Sequence, residues 1–212
     1  MRAVIHGGVA AVLCLAPRTA AAQDACAGNL KWPTVGQWAE YKGTRGQTNP
    51  ITSRYAVVGT ERRNGNEYKW IEMKMRDVKT NRNMIYQMLV PGGVLDMGEV
   101  QEVVMKPEDQ PAMKMSGMMI NAMRSQLAKN SAFSDACKDA ILVGSEKVSV
   151  PAGSFTARHY HSDKYGTDTW IVPAAPFPLV RTTGKDFAMD LVATGTGATS
   201  SITETPKEMG KP

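Results

Sequence analysis

The sequence is poor in the residues and motifs that carry most enzyme chemistry. It has three histidines and three cysteines in 212 residues. It contains no Gly-x-Ser-x-Gly nucleophile turn, no glycine-rich phosphate loop, no His-Glu-x-x-His helix and no Cys-x-x-Cys pair. Each of these motifs places a nucleophile, a phosphate cradle or a set of ligands at a fixed spacing. Their absence predicts a protein that is not an enzyme and that uses no cofactor and no metal.

Long hydrophobic runs and a strong charge of one sign are also missing. The apolar stretch at residues 7–16 is about ten residues long, whereas a membrane-spanning helix needs about 20. The formal net charge is +5, and the basic residues are spread along the chain. The sequence therefore predicts no transmembrane segment and no nucleic-acid partner.

The short apolar stretch is instead typical of a secretory signal. Arg2 precedes it, and Ala20, Ala21 and Ala22 supply a cleavage site of the A-x-A type. We predict a signal peptide over residues 1–22, with cleavage before Gln23, and a periplasmic or secreted location. The rest of the chain is long enough for one domain, predicted over residues 23–202, followed by a flexible polar tail over residues 203–212.

Removal of the signal changes the cysteine count. Cys14 leaves with it, so Cys26 and Cys137 remain as a pair in an oxidising compartment. A disulfide between them would close a loop of about 110 residues and contribute up to about 4 to 5 kcal/mol. Two separate buried thiols are the alternative, but exposed thiols outside the cytosol tend to oxidise, which favours the disulfide.

Apolar residues alternate from residue 36 onward, and turn signals recur at the spacing of an antiparallel sheet. Asn64-Gly65 predicts a tight hairpin turn. Ten strands are predicted, over residues 37–42, 54–60, 68–77, 83–90, 99–105, 142–150, 154–161, 167–172, 179–183 and 186–194. After Pro107 the apolar spacing predicts one helix, over residues 111–129. The expected fold is mainly β (α+β), a strongly curved antiparallel sheet or half-open β-barrel with one main helix across its concave face.

Methionine is frequent, with 14 residues, including Met-Lys-Met at 73–75 and Met-Lys-Met-Ser-Gly-Met-Met at 113–119. Flexible thioethers suit an adaptable apolar cavity or the filling of a core, and they are also soft ligands for Cu(I). Residues two apart on a helix point about 200° apart and cannot chelate one ion together. The predicted helix therefore weakens the case for copper.

His159 and His161 flank Tyr160 on a predicted strand, where residues two apart share a face. Two imidazoles in this arrangement could hold a metal, but no cysteine or acid lies at ligand spacing beside them in the sequence. The nearest acids are Asp163 and Asp168. The pattern favours a solvated sheet face over a metal site.

The C-terminal half resembles a known family. The segments VPAGSF at 150–155, TWIVP at 169–173, PFPLVR at 176–181 and GTGATS at 195–200 are similar to a pattern in small secreted bacterial proteins. These resemble the LolA/LolB lipoprotein-carrier superfamily, whose fold is a half-open β-barrel with helices across its mouth. The resemblance implies an apolar cavity and no catalytic chemistry.

These observations predict a periplasmic binding module that holds an acyl chain, another apolar ligand or a lipoprotein in a methionine-rich half-barrel cavity. The expected lining residues are Trp70, Met73, Met88, Met115, Met118, Met119, Met123 and Trp170. One alternative is a periplasmic copper-handling protein that uses the methionine-rich helix, with Met113, Met115, Met118 and Met119 as ligands. Another is a non-enzymatic envelope assembly subunit that contacts a protein partner through a sheet edge or a helix face.

Overall fold

The computed structural model describes residues 26, 31–45, 49–78, 81–93, 99–130, 137 and 139–209. These residues contain twelve strands and one helix of 14 residues. Their bounds, in chain order, are Trp38–Arg45 (β1), Asn49–Arg63 (β2), Asn66–Asp77 (β3), Arg82–Pro91 (β4), Glu102–Pro107 (β5), Met113–Lys114 (β6), Gly117–Asn130 (α1), Ile141–Val150 (β7), Gly153–Ser162 (β8), Thr167–Ile171 (β9), Leu179–Gly184 (β10), Phe187–Gly195 (β11) and Lys207–Glu208 (β12).

All twelve strands belong to one open, curved sheet, in the order β12-β6-β5-β4-β3-β2-β1-β11-β10-β9-β8-β7. Neighbouring strands are antiparallel except for the parallel pair of β6 and β12. Strand β1 pairs on one side with β2 and on the other with β11. The two halves of the chain therefore join in the middle of the sheet.

The ten predicted strands are all present. Apolar and polar residues alternate along these strands because one face of the sheet is buried, and this alternation makes the strands recognisable in the sequence. The turn between β2 and β3 has positive φ at Asn64 (51°) and at Gly65 (82°), as the Asn-Gly pair predicts. Strands β6 and β12 were not predicted, because two residues are too short to show a period.

One face of the sheet, here called the core face, carries the largest buried side chains. Tyr41 and Tyr55 meet edge to face with ring centroids 5.8 Å apart, and the Tyr41 hydroxyl donates a hydrogen bond to the Leu179 carbonyl oxygen (3.0 Å). Ile71, opposite Val57 in the register, continues the same face and is fully buried. Burial raises the pKa of Tyr55 to about 12 and raises that of Tyr41 further.

Cys26 and Cys137 form a disulfide, with Cα atoms 5.4 Å apart. Both residues are buried and belong to the same apolar core as Trp32 and Tyr41. The predicted pairing is confirmed, and the alternative of two free thiols is wrong. The bridge joins the start of the described chain to the segment that precedes β7.

The expected helix across the concave face is not supported. The helix begins at Gly117 and not at residue 111, because Met113 and Lys114 pair with β5 as a strand. Ile120 is buried in the core and Arg124 Nε donates to the Val100 carbonyl oxygen (2.6 Å). Met118 and Met119, in contrast, are 83% and 39% exposed. Methionines two apart at 113 and 115 follow a strand period, which the helical interpretation of this segment missed.

Residues 198–209, here called the C-terminal strap, cross the other face of the sheet and reach its edge. Ser201 hydrogen-bonds to the buried Glu72, and the backbone nitrogens of Lys207 and Met209 donate to the carbonyl oxygens of Ala112 and Lys114 (2.9 Å each). The polar composition of this segment did not predict these contacts, because they are made by backbone groups and by a carboxylate distant in sequence.

The predicted signal peptide, residues 1–22, and its cleavage site before Gln23 lie outside the described residues. Within the described chain, we find no helix that is long and apolar enough to cross a membrane.

Candidate ligand-binding site

The methionines converge on the core face at the β3–β6 end of the sheet. The register aligns three rows across these strands: Ile71, Met88 and Val103; Met73, Tyr86, Met105 and Met113; and Met75, Met84 and Pro107. The Met115 nitrogen donates to the Val103 carbonyl oxygen (2.9 Å), which continues the first row past the end of β6. Seven thioethers therefore share one face, here called the methionine face: Met73, Met75, Met84, Met88, Met105, Met113 and Met115.

Burial decreases across these rows. Ile71, Met88 and Val103 are at most 2% exposed, whereas the methionines and Tyr86 of the next two rows are only half-buried. Met73, Tyr86 and Met115 pack against the core cluster at its border. The first row is thus part of the core, and the outer rows form an apolar surface that is partly open.

A cavity of about 800 Å³ lies over the outer rows. Its floor is apolar and its rim polar; the residues that line it are Ile51, Met75, Met84, Tyr86 and Pro107 on the floor, and Arg82, Asn83, Glu108, Asp109 and Gln110 at the rim. This volume lies within the range of about 300 to 1,000 Å³ that is usual for small-molecule sites.

The rim is held in place by one pair of residues. Glu108 accepts hydrogen bonds from the Asn83 side-chain amide (2.7 Å) and backbone nitrogen (3.1 Å), and its own backbone nitrogen donates to the Asn83 carbonyl oxygen (3.2 Å). These bonds tie the turn after β5 to the first residues of β4. Arg82 and Asp109 are exposed beside them, so the mouth carries charges of both signs next to an apolar floor.

The structure brings together three of the eight expected lining residues. Met73, Met88 and Met115 lie on the methionine face. Trp70 precedes Ile71 and so lies on the opposite face, where its Nε1 donates to Glu61 Oε2 (3.1 Å). Three others lie elsewhere: Met118 and Met119 are exposed on α1, and Trp170 is on β9. The side chain of Met123 is outside the described part of the chain.

Sequence reasoning missed the residues that line the cavity itself. The signal was present, since Met73 and Met75 alternate along a strand, and so do Met84, Tyr86 and Met88. What was lacking is the register that sets Met84 opposite Met75 and Met113 opposite Met105. That register depends on pairing between strands, and no single segment reveals it.

A second group of polar side chains lies across β7, β8 and β9, beside Trp170, which packs against the border of the core. His159 Nε2 and His161 Nδ1 each lie 2.8 Å from the same Asp168 oxygen, Oδ1. Glu146 Oε1 accepts a hydrogen bond from Trp170 Nε1 (2.5 Å) and lies 3.2 Å from His159 Nδ1. The His159 ring stacks on Trp170 with centroids 4.5 Å apart. Trp170, an expected lining residue, is therefore engaged in this group.

The electrostatics of this group are set by Asp168. Its hydrogen bond raises the pKa of His161. Burial alone would raise the pKa of Asp168, but the hydrogen bonds from His159 and His161 outweigh it and lower that pKa. Among the residues that the structure describes, no group of three or more His, Cys, Asp or Glu side chains is arranged to hold a metal ion. The arrangement is one of ion pairs and hydrogen bonds between strands.

The chain has structural neighbours among solved proteins but matches no protein family. No protein-family model matches the chain, and no curated protein matches it. Among solved structures, it is similar to a protein with a YmcC-like fold from Bacteroides fragilis (12% identity, 79% of this chain and 99% of that chain, TM-score 0.40). It is also similar to a protein from Parabacteroides distasonis described as a lipoprotein (11% identity, 80% and 99%, TM-score 0.37). A DUF1329 family protein from Desulfovibrio piger is a third (12% identity, 88% and 96%, TM-score 0.36). Similarities this low do not establish a shared function.

Proposed function

We propose that this chain is an exported, non-enzymatic binding module whose methionine face takes up an apolar ligand, such as an acyl chain or the acylated end of a lipoprotein. Binding is reversible and non-covalent. The ligand enters the cavity beside β4 and lies against Met75, Met84 and Tyr86.

The single observation that carries this proposal is the half-buried state of the outer methionine rows beside a cavity of about 800 Å³. Apolar side chains left open to water gain about 0.8 kcal/mol for each buried methylene group when a ligand covers them. Methionine is unbranched and has three rotatable bonds, so the same face adapts to chains of different shape. If these side chains served only to fill the core, other parts of the protein would cover them.

The charged rim fits an amphiphile. Arg82 offers a guanidinium at the mouth, and guanidinium groups bind carboxylates and phosphates with two parallel hydrogen bonds. Asp109 and Glu108 stand beside it, so a head group that carries both charges, or one that stays in water, is also accommodated. The apolar floor sets affinity, and the rim orients the ligand.

The test is a titration with a fluorescent fatty acid. Replacement of Met84 by Trp adds bulk on the cavity floor, and we expect it to weaken uptake at least tenfold. Replacement of Met118 by Trp is the matched control, because Met118 is 83% exposed on α1; it should leave uptake unchanged. Both variants are compared at melting temperatures near that of the unmodified chain.

Two outcomes contradict the proposal. One is undiminished uptake in the Met84→Trp variant, which would place the probe elsewhere. The other is loss of uptake in the Met118→Trp variant alone, which would move the ligand to the helix.

A further inference from the structure

The methionine face also brings thioethers from neighbouring strands close together. Met84 lies directly opposite Met75 on the neighbouring strand. Met73 and Met105 lie opposite Tyr86, two residues further along β4 on the same face, one on each side of that strand. Met84 therefore has one methionine as its direct cross-strand neighbour and two as diagonal neighbours.

The distances between strands suit shared ligation. Cβ atoms of directly opposed residues are about 4.5 to 5.5 Å apart, and diagonal neighbours are about 7 to 8 Å apart. Each sulfur lies two bonds beyond its Cβ on a chain of freely rotating single bonds. Three sulfurs from this set can thus reach one point above Met84 without movement of the backbone.

The same sulfurs are accessible. Met75 and Met84 line the cavity, and Met73 and Met105 are half-buried. Thioethers are soft ligands that select Cu(I) over harder ions, which prefer oxygen and nitrogen. The cysteines of the described chain are joined in a disulfide, and a disulfide supplies no thiolate.

We propose that Met75 and Met84, with a third thioether from Met73 or Met105, form a binding site for a soft monovalent metal ion, Cu(I) or its analogue Ag(I). The site lies on the sheet. Residues two apart on a strand share a face, and the pairing of β3 with β4 sets Met75 opposite Met84 on that face. It uses the sulfur atoms, whereas acyl binding uses the apolar volume of the same side chains. The proposal therefore does not rest on the proposed function.

Methionine-to-leucine substitutions test the role of the sulfur atoms, since they remove sulfur and nearly conserve volume. The purified full chain is titrated with Cu(I) under anaerobic conditions with ascorbate, in competition with a chromophoric Cu(I) chelator. We expect one ion per chain, and affinity at least tenfold weaker in the double variant Met75→Leu with Met84→Leu. The circular dichroism spectrum and the melting temperature of this double variant should stay near those of the unmodified chain, which shows that it is folded.

The matched control is Met118→Leu with Met119→Leu, which removes two sulfurs from α1 and should leave Cu(I) affinity unchanged. A second readout uses Ag(I) and hydrogen peroxide, followed by peptide mapping. Bound Ag(I) should protect Met75 and Met84 from oxidation and leave Met118 unprotected. Unmodified Cu(I) affinity in the sheet variant, loss of affinity in the helix variant, or failure of the unmodified chain to bind Cu(I) would each overturn the proposal.

Discussion

At the residue scale, one buried carboxylate connects the C-terminal strap to the sheet. Glu72 is 1% exposed. Its Oε2 accepts hydrogen bonds from Gln87 Nε2 and from the Ser201 backbone nitrogen, and its Oε1 accepts one from the Ser201 hydroxyl, all at 2.8 Å. Lys74 lies 3.5 Å away as a half-exposed counter-ion. A buried charge is tolerated here because three donors and a cation surround it.

Replacement of Glu72 by Ala should lower the free energy of unfolding by about 3 kcal/mol, because it removes the acceptor of one Gln87 amide hydrogen and of the Ser201 donors, at about 1 to 3 kcal/mol for each buried group left unpaired. Urea unfolding measures the effect. Lys74→Ala is the control and should cost at most about 1 kcal/mol, as expected for a partly exposed ion pair. Limited proteolysis should cut the strap of the Glu72→Ala variant first. Equal stability of the two variants would show that the strap is held by its other contacts.

The hydrogen bond between His161 and Asp168 predicts a dependence of stability on pH. The pKa of His161 is raised in the folded state by its hydrogen bond to Asp168, so its contribution to stability is complete below the ordinary histidine pKa and is lost as pH rises through the folded pKa. The melting temperature should therefore fall between about pH 6 and pH 8. His161→Gln should flatten that part of the curve. An unchanged slope in the variant would assign the effect to another group.

The pKa of Asp168 is lowered, so its contribution is present above the ordinary aspartate pKa and is lost as pH falls through the lowered folded value. At weakly acidic pH, between the lowered pKa of Asp168 and the raised pKa of His161, Asp168 is ionised and His161 is protonated. Asp163, the other acid that contacts His161, favours its protonated imidazole in the same range.

At the scale of elements, the pairing of β1 with β11 depends on close backbone contact at Gly43. A Cβ at this position would overlap the Ala188 carbonyl oxygen on β11. Backbone atoms cannot move aside as a flexible side chain can, so the two strands would have to separate locally. This position joins the two halves of the sheet and tolerates no side chain.

We expect Gly43→Ala to lower the free energy of unfolding by about 1 to 3 kcal/mol, the usual range for overpacking. Gly144→Ala on β7 is a matched control, because nothing lies within 4 Å of a Cβ there; it should change stability by less than about 0.5 kcal/mol. Both are measured by urea unfolding. A Gly43→Ala variant as stable as the control would mean that the strands separate without cost.

Sequence patterns predict some of these elements and not others, for physical reasons. Long strands such as β3 and β8 alternate over ten or more residues, so their period is evident. Strand β6 and helix α1 follow each other in a segment where methionines fit both a period of 2 and one of 3.6. The predicted helix therefore includes the residues of β6, and its methionines Met118 and Met119 are exposed on α1.

At the scale of the molecule, the two edges of the sheet differ. One edge ends in the two-residue strand β12, whose residues are Lys207 and Glu208. The other is the ten-residue strand β7, where Ile141, Leu142 and Val143 are 39%, 49% and 59% exposed. Short, charged edge strands resist further pairing, and long apolar ones do not. The apolar edge of β7 is irregular at Leu142 and Gly144, where the register with β8 shifts, and such a bulge bends the strand.

The junction of β1 with β11 also sets the order of events when the chain folds. Trp38 donates a hydrogen bond to the carbonyl oxygen of Thr196, 158 residues later, so one side of β1 has no partner until nearly the whole chain is available. Pairing over such a separation is slow, and until it occurs Tyr41 and its neighbours lie on an unfinished sheet with an open central edge. A chain that emerges from its N-terminus, at a ribosome or through a membrane channel, spends that interval exposed to association with other chains. Loss of residues 187–209 should therefore yield aggregates and not a smaller sheet, because the missing strand lies at the centre and not at the rim.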